Sequence, residues 1–458
     1  MEQRKRIILQ VALAAVAIAL AIALPRLLRG RTAPPAAPTP APQIATPEPP
    51  KPLELVDAGT ERAAGPESAL RDWVDPAART AAEAAARAAA LRTKARDAFA
   101  RGLDAQRRND NDAAIAAYRE ALDADATLAG AWTNLALALD AAGQRTDAVA
   151  AARRATEQPA MADPARRAHA FHALGHVADR AGLLDDARRA YEEALRADAG
   201  KAATAVALGD VLVKAGKPDE ALAAMLAAHE AGAASAALET NIAVLELRAG
   251  RADAAAAHAA DALRIDRDFP EAKLALGYAL LGQRKWGDAA QRLDEAGRQF
   301  KGDADIQVAL GYAYQRLGRR EDAMAAFDRA LAIESQHPQA HAFRGMTLEE
   351  MGQAAQALEE YRAAVGADAK SQALSASKTK LAVAAYKEKR LADARSLAQE
   401  AVAADPRNAH ARYVLGLCAF EQGDRKAAGE QEYELTRLDT DRAAALRQLL
   451  GEKPAKKE

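Results

Sequence analysis

Apolar and small residues recur along most of this chain at helical spacing, in short segments punctuated by glycine. The pairs Leu174-Gly175 and Leu208-Gly209 stand 34 positions apart (208 − 174), as do Leu276-Gly277 and Leu310-Gly311 (310 − 276), and Ile242-Ala243 falls midway between the inner two. A glycine recurs seven positions behind the second member of most such pairs, at Gly143, Gly182, Gly216, Gly250, Gly318, Gly352 and Gly423, and closes a first helix. Five residues on comes an alanine, such as Ala148, Ala187 or Ala323, and four further on a larger side chain, such as Tyr191, Met225, Phe327 or Tyr361. Small positions let two helices approach and large ones fill the remaining space, so the pattern predicts a series of helix pairs. Asp75-Pro76 predicts the start of a long leading helix, with no further proline or glycine until Gly102.

Trp132, Leu135, Ala136, Gly143 and Ala148, and again Phe171, Leu174, Gly175, Gly182, Ala187 and Tyr191, stand in a spacing that resembles the tetratricopeptide repeat. The resemblance implies an all-α solenoid, a right-handed superhelix of antiparallel helix pairs. Ten repeats begin near residues 95, 129, 168, 202, 236, 270, 304, 338, 375 and 409, with register slips around 159–164 and 368–377 that predict longer loops. Two repeats depart from the pattern: Asn109 and Arg284 stand where the turn glycine belongs, with Gly282 two residues early in the second case. The expected organisation is a basic flank and membrane helix over 1–31, a Pro-rich linker over 32–65, a linker and leading helix over 66–94, the repeats over 95–440, a capping helix over 441–450 and a disordered tail over 451–458.

Composition narrows the picture. Half the residues are hydrophobic but only 4% are aromatic, and the alanine-rich remainder suits closely packed helices better than sheets. A formal charge of −1 supplies no global field to attract nucleic acid. The single cysteine, Cys418, excludes an intrachain disulfide framework and reads as a buried, inert thiol in the alanine-like packing zone of the last repeat. After Arg4, Lys5 and Arg6, the uncharged run from Ile7 to Leu24 predicts a single transmembrane helix with a cytoplasmic N-terminus, placing the repeats in a bacterial periplasm behind the inner membrane. Cleavage after Ala21-Ile22-Ala23, giving a secreted or periplasmic protein, is the alternative. Nine prolines within 33–52 predict a semi-rigid spacer behind that segment.

Candidate chemistry is sparse. No Gly-x-x-x-x-Gly-Lys-Ser/Thr or Gly-x-Gly-x-x-Gly loop is present, so no enzyme activity and no cofactor are expected. His169, His172 and His176 share one face of the first helix of the third repeat, with Asp179 continuing the stripe. They are candidate ligands for zinc or another transition metal, or a pH-sensitive patch, weighed against solvated histidines with no metal. His337 and His341 straddle Pro338 in a way that disfavours chelation. The resemblance implies a concave groove lined by the first helices, where Asn134 and Asn241 occupy the position at which family members hydrogen-bond a peptide backbone. Tyr278, Tyr312, Phe343, Met346, Tyr386 and Tyr413 form a predicted apolar and aromatic stripe in the C-terminal half that would take a helix or an extended peptide, the alternative being packing between repeats. The expected function is a membrane-anchored adaptor for proteins of an envelope complex. The alternatives are a non-catalytic subunit of a secretion or envelope-biogenesis system, and a metal-binding or pH-sensing protein using the histidines.

Overall fold

The computed structural model of the protein describes residues 76–368 and 374–451. Among these there are 21 α-helices, one short 3-10 turn and no strand. They fall into two compact units that divide between Ala234 and Ser235.

The N-terminal unit is four helix pairs: α1 (Pro76–Arg107) with α2 (Asn111–Ala124), α3 (Ala129–Ala141) with α4 (Arg145–Thr156), α5 (Pro164–Arg180) with α6 (Leu184–Ala197), and α7 (Ala202–Lys214) with α8 (Pro218–Glu230). The 3-10 turn Pro159–Ala162 occupies the first register slip, and Asp163 restarts the helical path by accepting hydrogen bonds from Ala165 N (2.9 Å) and Arg166 N (3.4 Å). The C-terminal unit is six pairs: α9 (Ala236–Arg248) with α10 (Ala252–Ile265), α11 (Pro270–Gly282) with α12 (Trp286–Gly297), α13 (Ala304–Arg316) with α14 (Arg320–Ile333), α15 (Pro338–Glu350) with α16 (Ala354–Ala367), α17 (Ser375–Lys387) with α18 (Leu391–Ala404), and α19 (Ala409–Glu421) with α20 (Arg425–Leu438). A last helix, α21 (Thr440–Leu450), lays Ala443 and Leu446 over the final pair, with Asp439 capping its start through Arg442 N at 3.1 Å.

In several pairs the helices meet where a glycine faces a large side chain. A Cβ on Gly311 would stand 2.5 Å from Phe327 Cε1, one on Gly175 2.6 Å from Tyr191 Cδ1, and one on Gly345 2.8 Å from Tyr361 Cε1. Gly102 meets Tyr118 in the same way, which is why this glycine sits inside α1 instead of ending it. The turn that follows is also shared. Gly318 has φ +76, its N–H bonds Gln315 O at 2.9 Å and the next N–H bonds Tyr314 O at 3.0 Å. Where the glycine is missing, Asn109 (φ 56), Arg284 (φ 62) and Lys389 (φ 63) adopt the same left-handed conformation, and Arg284 N and Lys285 N make the equivalent bonds to Leu281 O and Leu280 O. Gly282 therefore does not make that turn; it admits the Ala252 methyl, 2.7 Å from where its own Cβ would be.

The segment Ile7–Leu24 and the proline-rich spacer lie outside the described residues. Among the described residues, no helix is long and apolar enough to cross a membrane. The longest, α1 at 32 residues, has the length but carries charges along it, from Arg79 and Glu83 to Asp104 and Arg107. The localisation expected from the sequence, an inner-membrane anchor with periplasmic repeats, is corrected on this finding.

The glycine contacts give a test with two magnitudes. In Gly311→Ala the new methyl meets a rigid ring held at 0 % exposure, so the variant should lose about 1–3 kcal/mol in chemical denaturation. In Gly209→Ala the new methyl would stand 1.9 Å from Met225 Cε, 3.2 Å from Sδ and 3.3 Å from Cγ, against an unbranched side chain that can re-pack, so the loss should be smaller than in Gly311→Ala.

Candidate functional site

In both units the first helices of successive pairs lie beside one another, α3 by α5 and α5 by α7 in the N-terminal unit, and α11 by α9 and α13 by α15 in the C-terminal one. The predicted site residues fall on these helices.

On α5, His169 is exposed, while His172 and His176 are half-buried. His172 Nδ1 lies 3.0 Å from Thr204 Oγ1 and its ring packs 5.5 Å from that of Tyr191. His176 Nε2 instead turns to Asp140 Oδ2, at 3.8 Å. Among the described residues, the ring nitrogens of the stripe do not gather with each other or with carboxylates into a three-ligand cluster. Burial lowers the pKa of all three, and takes His172 to about 4 with help from Lys201, His176 and His169.

What sequence reasoning missed is the charged ladder around them. Arg180 Nε meets Asp140 Oδ2 at 2.6 Å, Lys214 Nζ meets Asp179 Oδ2 at 2.7 Å, and burial raises Asp210 to about 6 against the opposing pull of Lys214. Asp140 and Asp179 occupy equivalent repeat positions, and Arg180 and Lys214 the position next along, so an alignment of repeats read for charge as well as size shows the ladder.

In the C-terminal unit the aromatic stripe is mostly core. Tyr278 is 0 % exposed and its hydroxyl has no hydrogen-bond partner. Phe343 is buried between Tyr312, at 5.2 Å, and Phe327, at 6.2 Å between ring centroids. Tyr312 is 5 % exposed, with Trp286 edge-on at 5.9 Å and an unpartnered hydroxyl. For Tyr278, Tyr312 and Phe343 the expectation of a partner-facing stripe is corrected. With Ala275, Ala279, Ala309 and Ala313 beside them on the first helices, the large rings sink between pairs to fill volume that alanine leaves. Met346 is half-buried against the same cluster.

Tyr386 and Tyr413 remain half-buried. Tyr386 donates its hydroxyl to Glu421 Oε1 at 3.2 Å, and burial together with Glu421 pushes its pKa up to about 12. Tyr413 packs beside the residues that α21 covers. Asn134 is half-buried on α3, and Asn241 is half-buried on α9. His337 is a helix cap: its Nδ1 accepts from Ala340 N at 3.2 Å while Nε2 lies 2.9 Å from Asp305 Oδ1. His341 pairs with Glu360 at 2.7 Å. Cys418 is buried, which raises its thiol pKa and fits an inert packing role.

Family models of the tetratricopeptide repeat match residues 99–164, 172–237, 206–271 and 379–445, with others of that description at 280–347 and 338–371. The chain belongs to the tetratricopeptide-repeat family. No curated protein matches the sequence. Solved structures similar to it include one titled for functional characterisation of Pseudomonas aeruginosa pilF, at 18% identity over 46% of this chain and 96% of that one, with a TM-score of 0.42. The Cut9–Hcn1 hetero-tetramer of APC/C is similar at 13% identity over 78% and 90%, TM-score 0.42. YrrB, described as a tetratricopeptide-repeat protein with an unusual peptide-binding site, is similar at 22% identity over 49% and 95%, TM-score 0.32. At these values none of the three carries an argument about function. This tetratricopeptide-repeat protein presents repeats of the kind that serve protein–protein interaction, and its residues are read on that basis.

Two measurements test this account. Tyr278→Phe removes a buried hydroxyl without a partner and keeps the ring, so it should raise stability by about 1 kcal/mol in urea titration. His172 and Asp210 act in opposite senses with pH. His172 is held neutral, so its contribution is present above about 6.5 and is lost as pH falls towards about 4. The raised pKa of Asp210 gives a contribution present below its ordinary value and lost as pH rises through about 6. Relative to the parent protein, His172→Asn should gain stability on acidification from pH 6.5 to 4, whereas any advantage of Asp210→Asn at pH 7 should shrink over the same range.

Proposed function

We propose that this protein is a non-catalytic scaffold whose first-helix faces hold helices or extended segments of partner proteins. The observation that carries the reading is the pairing of a tightly packed interior, with its glycine–aromatic contacts, with first-helix faces that keep half-buried aromatic side chains, Tyr386 and Tyr413, partly accessible. Tyrosine and tryptophan offer large contact area for little conformational entropy, and such residues dominate the energetics of protein interfaces. His337 is engaged as a helix cap, Asp179 in an ion pair, and Cys418 is buried with a raised pKa; these arrangements support a binding role.

The test is site-specific photocrosslinking in cells. A crosslinking residue at Tyr386 or Tyr413 should trap one recurrent partner, and the same residue at exposed Ala325 on α14 should not. If the partner is trapped at Ala325 and neither tyrosine position gives it, the first-helix faces are not the binding surface.

A further inference from the structure

We propose that α21 is an exchangeable helix, and that two copies of this chain associate by each seating its α21 in the other's socket beside Gly416. The proposal goes beyond the scaffold reading, which concerns other proteins.

The pair α19–α20 lacks a side chain that other pairs supply for themselves. Tyr191 fills the space over Gly175, Met225 that over Gly209, Leu293 that over Gly277 and Phe327 that over Gly311, each from the second helix and each 16 positions after its glycine (191 − 175). The same count from Gly416 reaches Glu432 (432 − 416), and an unpaired charge in such a space is costly. Glu432 is 8 % exposed and pairs with Arg447 of α21, while the space over Gly416 is filled by Leu446 of the same helix. A Cβ on Gly416 would stand 2.5 Å from Leu446 Cδ2. α21 therefore donates both the apolar group and the counter-charge that α20 does not provide. Leu446, at 0 % exposure, and Arg447 beside it are what the socket reads.

The link to this helix is short. Residues 266–269 join α10 to α11, 334–337 join α14 to α15 and 405–408 join α18 to α19, whereas Asp439 alone joins α20 to α21. The Asp439 N–H bonds Leu435 O at 2.7 Å and so closes α20, and its carboxylate accepts from Arg442 N at 3.1 Å and pairs with the Arg442 guanidinium to begin α21. No glycine or proline stands between Glu430 and Leu450, so a change of backbone at this one residue merges the two helices into one over 425–450.

In the merged form α21 projects about 17 Å past α20, away from its own socket. Leu446 and the space over Gly416 are then both bared, and the surface that matches each is the other, carried by a second copy. Reciprocal exchange remakes the contacts that α21 makes within one chain, so its balance against the closed form is set by the link and by concentration.

The experiment uses the full chain in two variants, with association measured by native mass spectrometry and sedimentation velocity. Glu432→Arg sets two cations together in one chain, and Arg447→Glu sets two anions together in the other. Mixed in equal amounts, they should form a 1:1 dimer that associates about tenfold more tightly than either chain with itself, because only exchange brings unlike charges together at both sockets. Adding Asp439→Ala to both chains removes the cap of α21 and should tighten the dimer about tenfold again. A single chain carrying both Glu432→Arg and Arg447→Glu should melt like the parent, since the pair is restored within it. A mixture that stays monomeric while both chains keep their helical circular dichroism would overturn the proposal. So would equal dimer in mixed and unmixed chains, no response to Asp439→Ala, or a doubly substituted chain that melts as low as the single variants.

Discussion

The contact on which this structure depends is the meeting of a hydrogen atom with a ring. At Gly102, Gly175, Gly311 and Gly345 the first helix has no side chain, and the second helix drives Tyr118, Tyr191, Phe327 or Tyr361 into the space. Two helices can approach this closely only if one offers bare backbone where the other is bulkiest. The left-handed residue seven positions later then reverses the chain over a short distance, so the close approach and the turn specify the same antiparallel pair from two directions.

Where that contact is made it lies inside the pair, and other faces of the first helices are left free of it. They are left to bridge to the next pair and to meet solvent. In the N-terminal unit they carry charge, with Asp140, Arg180, Asp179 and Lys214 tying three first helices by ion pairs around half-buried histidines. In the C-terminal unit they carry rings, and Tyr278, Tyr312 and Phe343 bridge neighbouring pairs by packing. One backbone scheme thus supports two kinds of surface, and fold alone does not say what either binds.

The pairs and turns were legible in the sequence because glycine, alanine and aromatic residues are demanded there by volume and by φ, and the demand repeats every 34 positions. The turns at Asn109 and Arg284 were visible only as departures, since a residue able to pay for the left-handed region leaves no composition signal. Which side of a first helix a tyrosine uses was not legible. Tyr278 and Tyr386 are both large residues on first helices, each against an alanine-rich cluster, yet one is enclosed and the other half-exposed, a difference set by neighbouring helices and not by the residue's own place in the pattern. The histidine stripe shows the same limit. Spacing put His169, His172 and His176 on one face, but Thr204 and Asp140 come from other helices and turn the rings apart.

Tyr278 and Tyr312 stand at equivalent positions in successive repeats, and each has a buried hydroxyl with no partner. Both rings are enclosed, at 0 % and 5 % exposure, on first helices between neighbouring pairs, with Ala275, Ala279, Ala309 and Ala313 in the same cluster. A lone buried hydroxyl costs stability, so the ring is kept for the volume it fills and the hydroxyl is carried with it. The same cost at two equivalent positions belongs to the repeat pattern, which asks for a large side chain there and does not ask for a polar one.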